Sequence, residues 1–209
     1  MKKTTMKVAL ATTLLFSSVL GNGMIANAAT TKPTATVKPT ATPAPIMRDN
    51  LFKFGLKKEV DLPVTITAGG LSYTLEKLMV YDVKSKDAQA IIKKYGYREQ
   101  VFKQATKYLV WTKITIENNS QNLIQLTSKS PASKWIINTN GSNLAGSMPK
   151  LKADEINSKE ALWNWKLQPG QKLSTYQMYV STEDFTDLSI AIYFGGGFDE
   201  KFIVKRQGE

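Results

Sequence analysis

The feature that most constrains the fold of this chain is a period-two alternation of apolar side chains through residues 64–205. It is clearest over residues 107–117. There Val110, Thr112, Ile114 and Ile116 fall on one side, and Leu109, Trp111, Lys113, Thr115 and Glu117 on the other. Successive side chains of an extended strand point to opposite faces, so this pattern predicts a strand. Residues 64–67 show the same period before Gly69-Gly70, and residues 172–180 place Tyr176, Met178 and Val180 on one face. Leu188, Ile190, Ile192 and Phe194 mark another inward face, and Gly195-Gly196-Gly197 joins it to a last strand over 198–205. Shorter runs at 123–126, 134–138 and 162–167 predict further strands, with turns at Asn118-Asn119-Ser120, Asn140-Gly141 and Pro169-Gly170. Residues 142–160, with Gly146, Pro149 and mixed charges, read as a loop. Many short strands separated by turns predict a mainly β domain over residues 47–209, a two-sheet antiparallel β-sandwich.

Two segments depart from simple alternation. In residues 71–83, Leu71, Tyr73 and Leu75 alternate with Ser72, Thr74 and Glu76, but after Lys77 both faces turn apolar (Leu78, Met79, Val80, Tyr81). A β-bulge near Glu76-Lys77, or a change from edge to buried strand, accounts for this. The second segment is a helix. Ser85 is a cap, Asp87 lies in the first turn, Ala88, Ile91, Ile92 and Tyr95 share one face, and Gly96 ends it. This one short helix is expected to lie on a sheet or to close one end of the sandwich.

The stretch from Tyr108 to Ser120, Tyr-Leu-Val-Trp-Thr-Lys-Ile-Thr-Ile-Glu-Asn-Asn-Ser, resembles a strand of a family of bacterial secreted immunoglobulin-like domains of unknown function. The later Pro169-Gly170 turn, the strand around Tyr176-Gln177-Met178-Tyr179-Val180 and the run from Leu188 to Phe194 extend the likeness over about half of the domain. Ser174-Thr175 and Ser181 stand where that family often has glycine and proline. The resemblance implies an immunoglobulin-like sandwich and a binding or accessory role, and it carries over no functional residues.

The amino terminus predicts export. Lys2, Lys3 and Lys7 precede an uncharged apolar run over 8–20, and Ala26-Asn27-Ala28 is a cleavage site, so residues 1–28 read as a signal peptide. The apolar run is shorter than the roughly 20 residues a membrane span needs, so no integral span is expected after signal removal. Residues 29–46 read as a disordered linker rich in proline and threonine, with the near repeat Lys32-Pro33-Thr34-Ala35-Thr36 and Lys38-Pro39-Thr40-Ala41-Thr42. The expected location is secreted, free or held at the cell wall non-covalently.

Composition narrows the chemistry. The chain has no cysteine and no histidine. A secreted domain without disulfides must be held by its core. A Ser-His-Asp triad, a cysteine nucleophile and an ordinary zinc or copper site are all excluded, so no cofactor and no metal are expected. Without its three amino-terminal lysines the protein keeps 25 basic against 17 acidic residues, a net charge of +8. Outside a cell this points to anionic wall polymers or glycans and away from nucleic acid, although scattered lysines equally serve solubility.

Trp163, Trp165, Tyr176 and Tyr179 are the candidate ligand-binding residues. Alternation along one strand would turn Trp163 and Trp165 the same way, and parallel aromatic rings stack on sugars. The same four side chains can instead fill a core, where aromatics contribute much of the buried area. Glu183, Asp184 and Asp187 share one polar connection that reads as an acidic turn rather than a calcium loop. The expected function is a non-catalytic secreted binding or accessory module acting on wall polymer, glycan or extracellular protein. The alternative is a structural, self-assembling matrix or coat component.

Overall fold

A computed structural model of the protein describes residues 47–97, 105–127, 129 and 132–205. The signal peptide and linker expected over 1–46 lie outside the described residues. The architecture is mainly β, with antiparallel sheets and one short α-helix. The first sheet contains β1 (Val64–Ala68), β2 (Leu71–Asp82), β3 (Tyr108–Asn118), β9 (Lys172–Ser181) and β7 (Ala145–Gly146), in that spatial order. The second has the order β11 (Gly197–Val204), β10 (Leu188–Phe194), β5 (Trp135–Thr139) and β6 (Ser142–Asn143). A two-stranded sheet pairs β4 (Ile124–Leu126) with β8 (Trp165–Leu167).

The bulge lies where the sequence puts it. Leu75 pairs with Ile114 and Lys77 with Lys113, leaving Glu76 without a partner in the ladder. One extra residue reverses the alternation. Leu71, Tyr73 and Leu75 before it, and Leu78 and Val80 after it, therefore stay in the same core. Met79 and Tyr81 turn to the opposite face.

The main core is shared by the two larger sheets. Tyr73, Leu75, Ile114 and Ile116 from one pack in a single cluster with Ile137, Ile190 and Ile192 from the other. A second cluster occupies the far face of the five-stranded sheet, where Leu109, Trp111, Met178 and Val180 meet Ala88, Ile91 and Tyr95 of α1 (Lys86–Tyr95). The helix begins and ends as its sequence requires. The Ser85 hydroxyl accepts the Ala88 N–H at 3.2 Å, and Gly96 closes the helix in the left-handed conformation. β3 is thus buried on both faces, which is why both of its alternating sets are large.

Two corners join the larger sheets. At one, the chain passes from β6 through Leu144 into β7, and so from one sheet to the other. Leu144 N–H donates to the Ile137 carbonyl, and Ser147 N–H to that of Met178. At the other, β11 side chains engage the backbone of β1. Thr67 N–H donates to Asp199 at 3.0 Å, and Lys201 Nζ to the Thr65 carbonyl at 2.8 Å. The two Gly-Gly turns meet at this end of the molecule. A Cβ on Gly69 would lie 2.5 Å from the Phe194 carbonyl oxygen.

Two expectations require correction. Residues 142–160 are not wholly loop, because β6 and β7 form at the sheet crossing. The strand expected over 162–167 is only Trp165–Leu167. Leu162 and Trp165 are both buried, but they meet different strands. The chain turns between them: Leu162 N–H donates to Tyr176 of β9, whereas Trp165 pairs with Leu126 of β4.

Candidate ligand pocket

A small recess of about 90 Å³ lies beside the start of β5, lined by Leu126, Thr127, Ser133, Lys134, Trp135, Trp163, Asn164, Trp165 and Gln177. Its aromatic wall is an extension of the core. Trp165 stacks on Trp135 with ring centroids 5.3 Å apart, and Trp135 in turn lies 5.2 Å from Tyr73. Trp163 is only partly buried. It adds a third indole to the lining, on a residue that precedes β8 rather than within it.

The polar lining has defined partners. Gln177 Oε1 accepts the Trp135 indole N–H at 2.9 Å and the Tyr179 hydroxyl at 2.8 Å. That fixes the carboxamide and leaves its amide nitrogen as the group Gln177 can offer. Burial holds the Tyr179 phenol well above its ordinary pKa, so it stays a donor. Asn164 donates through Nδ2 to the Ala153 carbonyl, whereas its enclosed Oδ1 accepts no hydrogen bond among the described residues. A buried acceptor without a donor costs about 1–3 kcal/mol. Lys134 contributes an ammonium group, 5.6 Å from the Phe194 ring centroid. Stacking surface, amide groups and one cation suit the recognition of a small polar group attached to a ring. Among the described residues, no cluster of three or more carboxylates is placed to hold a metal ion.

Trp163, Trp165, Tyr176 and Tyr179 do not form one platform. Trp165 is 1% exposed and belongs to the core. Tyr179 is buried and reaches the pocket only through Gln177. Tyr176, three positions away on the same strand, takes the opposite face of the sheet and stacks on Trp111 at 5.5 Å. An odd separation on a strand separates two side chains by the full thickness of the sheet. Of the four, Trp163 is the partly exposed one at this recess; Tyr176 is also partly exposed, but on the opposite face. The acidic connection is a turn: Asp184 accepts the Tyr108 hydroxyl and Lys107, which hold its carboxyl below the usual range, and Asp187 accepts the Asn140 N–H.

Sequence reasoning passed over a second surface. On the outer face of the four-stranded sheet, Tyr193, Phe198 and Phe202 are 49%, 55% and 44% exposed. The signal was present, since Phe198, Glu200 and Phe202 alternate with Asp199, Lys201 and Ile203. Only the pairing with β10 shows which set faces outward. A larger groove of about 440 Å³ lies at the β6–β7 crossing. Among the described residues its lining, including Thr139, Ser142, Leu144, Val180 and Glu183, has no aromatic side chain.

No protein-family model matches the sequence, and no curated protein does. Three solved structures are distantly similar. A candidate lipoprotein (ycdA) of Bacillus subtilis has a TM-score of 0.45 at 6% identity; the match covers 69% of this chain and 39% of that one. The yjhA protein of Bacillus subtilis has a TM-score of 0.39 at 14% identity, covering 62% and 76%. A functionally unknown protein of Listeria monocytogenes EGD-e has a TM-score of 0.42 at 13% identity, covering 68% and 81%. This chain thus spans about two fifths of the length of the first of them. Among the described residues no helix is long and apolar enough to cross a membrane.

Proposed function

We propose that this is a secreted, non-catalytic binding module, an immunoglobulin-like β-sandwich that holds a cell-surface glycan at the Trp163 pocket. The observation that carries the reading is the lining of that pocket. A partly open indole stands beside a stacked Trp135–Trp165 pair, next to Lys134, Asn164 and the Gln177 amide. Apolar walls with a few convergent polar groups are the usual composition of a ligand site. The amino-terminal export pattern and the basic charge support a ligand outside the cell that carries some negative groups. The self-assembling alternative has less support. β6 and β7 are two residues long, and Asp199 and Lys201 of the β11 edge bond the backbone of the β1 edge, so the two long edges face each other rather than another chain.

Co-sedimentation of the mature chain with purified cell walls, at low and high salt, tests the proposal. Wild type is expected in the pellet, with retention weakened but not abolished by salt, because stacking persists when the charge of Lys134 is screened. Trp163→Ala is expected in the supernatant. Equal retention of Trp163→Ala and wild type, or no retention of either, would overturn the reading.

A further inference from the structure

We infer that the outer face of the four-stranded sheet is a second contact strip for the same ligand, and that the ligand at this strip is a neutral, hydroxyl-rich segment of a polysaccharide chain. The inference rests on the pocket reading and extends it. Cross-strand pairing builds the strip in three rows: Tyr193 opposite Phe198, Ala191 opposite Glu200, and Ser189 opposite Phe202. The Tyr193 and Phe198 rings lie 4.8 Å apart. Two aromatic ends therefore flank a polar middle.

That middle is prearranged. Ser189 Oγ donates to Glu200 Oε1 at 2.6 Å, and Asn138 Nδ2 lies 3.3 Å from both Ser189 Oγ and Glu200 Oε1. The second carboxylate oxygen of Glu200 has no partner among the described residues and can accept hydroxyl protons. Sugar rings present C–H faces to aromatic rings and hydroxyls along their rims, so alternating ring and acceptor matches a glycan chain. A carboxylate in the centre would repel phosphate or carboxylate groups, which assigns the neutral part of the polymer to this face.

Size distinguishes the occupant. Phe198 and Phe202 are four residues apart, about 13 Å along the strand, and three strands are about 10–15 Å wide. The strip covers only a few hundred Å² at most, against roughly 800 Å² per partner in a standard protein interface. A narrow chain fits it better than a second protein. The strip begins beside the pocket, although its rings and the Trp135 ring take opposite faces of the sheet. Tyr193 N–H donates to the Lys134 carbonyl at 2.7 Å, and Lys134 lines the recess. A ligand that touches both must pass round the start of β5, and so is a polymer rather than a single sugar.

The test is calorimetric titration of the mature chain with a purified cell-wall polysaccharide that carries both neutral and anionic groups, and with its anionic mono- and disaccharide fragments. Wild type is expected to bind the polymer about tenfold or more tightly than the fragments. Phe198→Ala/Phe202→Ala should bring polymer affinity down to that of the fragments, about a tenfold loss for the stacking removed, with fragment affinity unchanged. Glu200→Gln, which keeps the shape of the strip, should weaken polymer binding alone. Trp163→Ala should lose both ligands. Unchanged polymer affinity in both strip variants would overturn the strip while leaving the pocket standing. Unchanged binding in Trp163→Ala would overturn the pocket. A wild-type dimer that becomes monomeric in the double variant would assign the face to a second copy and overturn the inference.

Discussion

Trp163 and Trp165 are two positions apart and chemically identical, yet their replacement by alanine has opposite expected consequences. Trp165 is 1% exposed and stacks on Trp135 at 5.3 Å. Burying an indole removes about 150–250 Å² from water. At about 25 cal/mol per Å² this amounts to roughly 4–6 kcal/mol, an upper bound because the unfolded chain is itself partly compact. Deleting a buried aromatic ring typically costs about 3–5 kcal/mol. We therefore expect Trp165→Ala to lose about 4 kcal/mol, much of the roughly 5–15 kcal/mol that stabilises an ordinary domain. Trp163 is partly buried and its ring lines the recess. Trp163→Ala should cost only about 1 kcal/mol while abolishing glycan retention. Urea unfolding followed by far-ultraviolet circular dichroism measures both without relying on indole fluorescence. The midpoint should fall steeply for Trp165→Ala and slightly for Trp163→Ala, with unchanged slopes. Equal losses for the two variants, or a Trp165→Ala protein within about 1 kcal/mol of wild type, would refute the assignment of one ring to the core and the other to the pocket.

Gly69 and Gly196 both have positive φ, 54° and 78°, but only Gly69 faces backbone at 2.5 Å. Gly69→Ala should cost about 3 kcal/mol and Gly196→Ala about 1 kcal/mol in the same urea assay, the difference being the contact between the two turns. Ser85→Ala should cost about 1 kcal/mol by removing the helix cap, and Ser85→Gly a few tenths. Alkali should unfold the protein. Burial raises the phenols of Tyr73 and Tyr179 well above their ordinary value of 10, and burial, with a smaller contribution from Asp87, pushes Tyr81 up to about 12. A phenol whose folded pKa is raised favours folding below the unfolded value, and that stabilisation is lost as pH climbs from about 10 through the folded value. Tyrosinate absorbance from these residues should therefore appear together with loss of circular dichroism, rather than before it.

Much of the fold was legible because its main devices act locally. The reversal of alternation at Glu76-Lys77, the Ser85 cap, the Gly96 stop and the two-faced strand around Trp111 are all written within a few residues. The candidate site was not legible, because it depends on which faces meet. Trp163 and Trp165 look alike in sequence, and only the turn between β9 and β4 pairing buries one and leaves the other partly open. Tyr176 and Tyr179 could have been separated earlier by parity alone. The outward row of Phe198, Glu200 and Phe202 could not, because β11 is an edge strand whose inward Asp199 and Lys201 are as polar as an exposed face. Those two residues point inward because they bond the backbone of β1. The short β6 and β7 carry no apolar pattern of their own, and long-range pairing alone defines them.

The most direct measurement is a nuclear magnetic resonance titration of the isotope-labelled mature chain with fragments of increasing length from a wall polysaccharide that carries both neutral and anionic groups. Short fragments are expected to shift the Trp163 indole resonance and the Asn164 and Gln177 side-chain amides. Longer ones should add shifts at Tyr193, Phe198 and Phe202, with α1 undisturbed. Shifts confined to the β6–β7 groove or to the helix face, or none at any fragment length, would contradict the account.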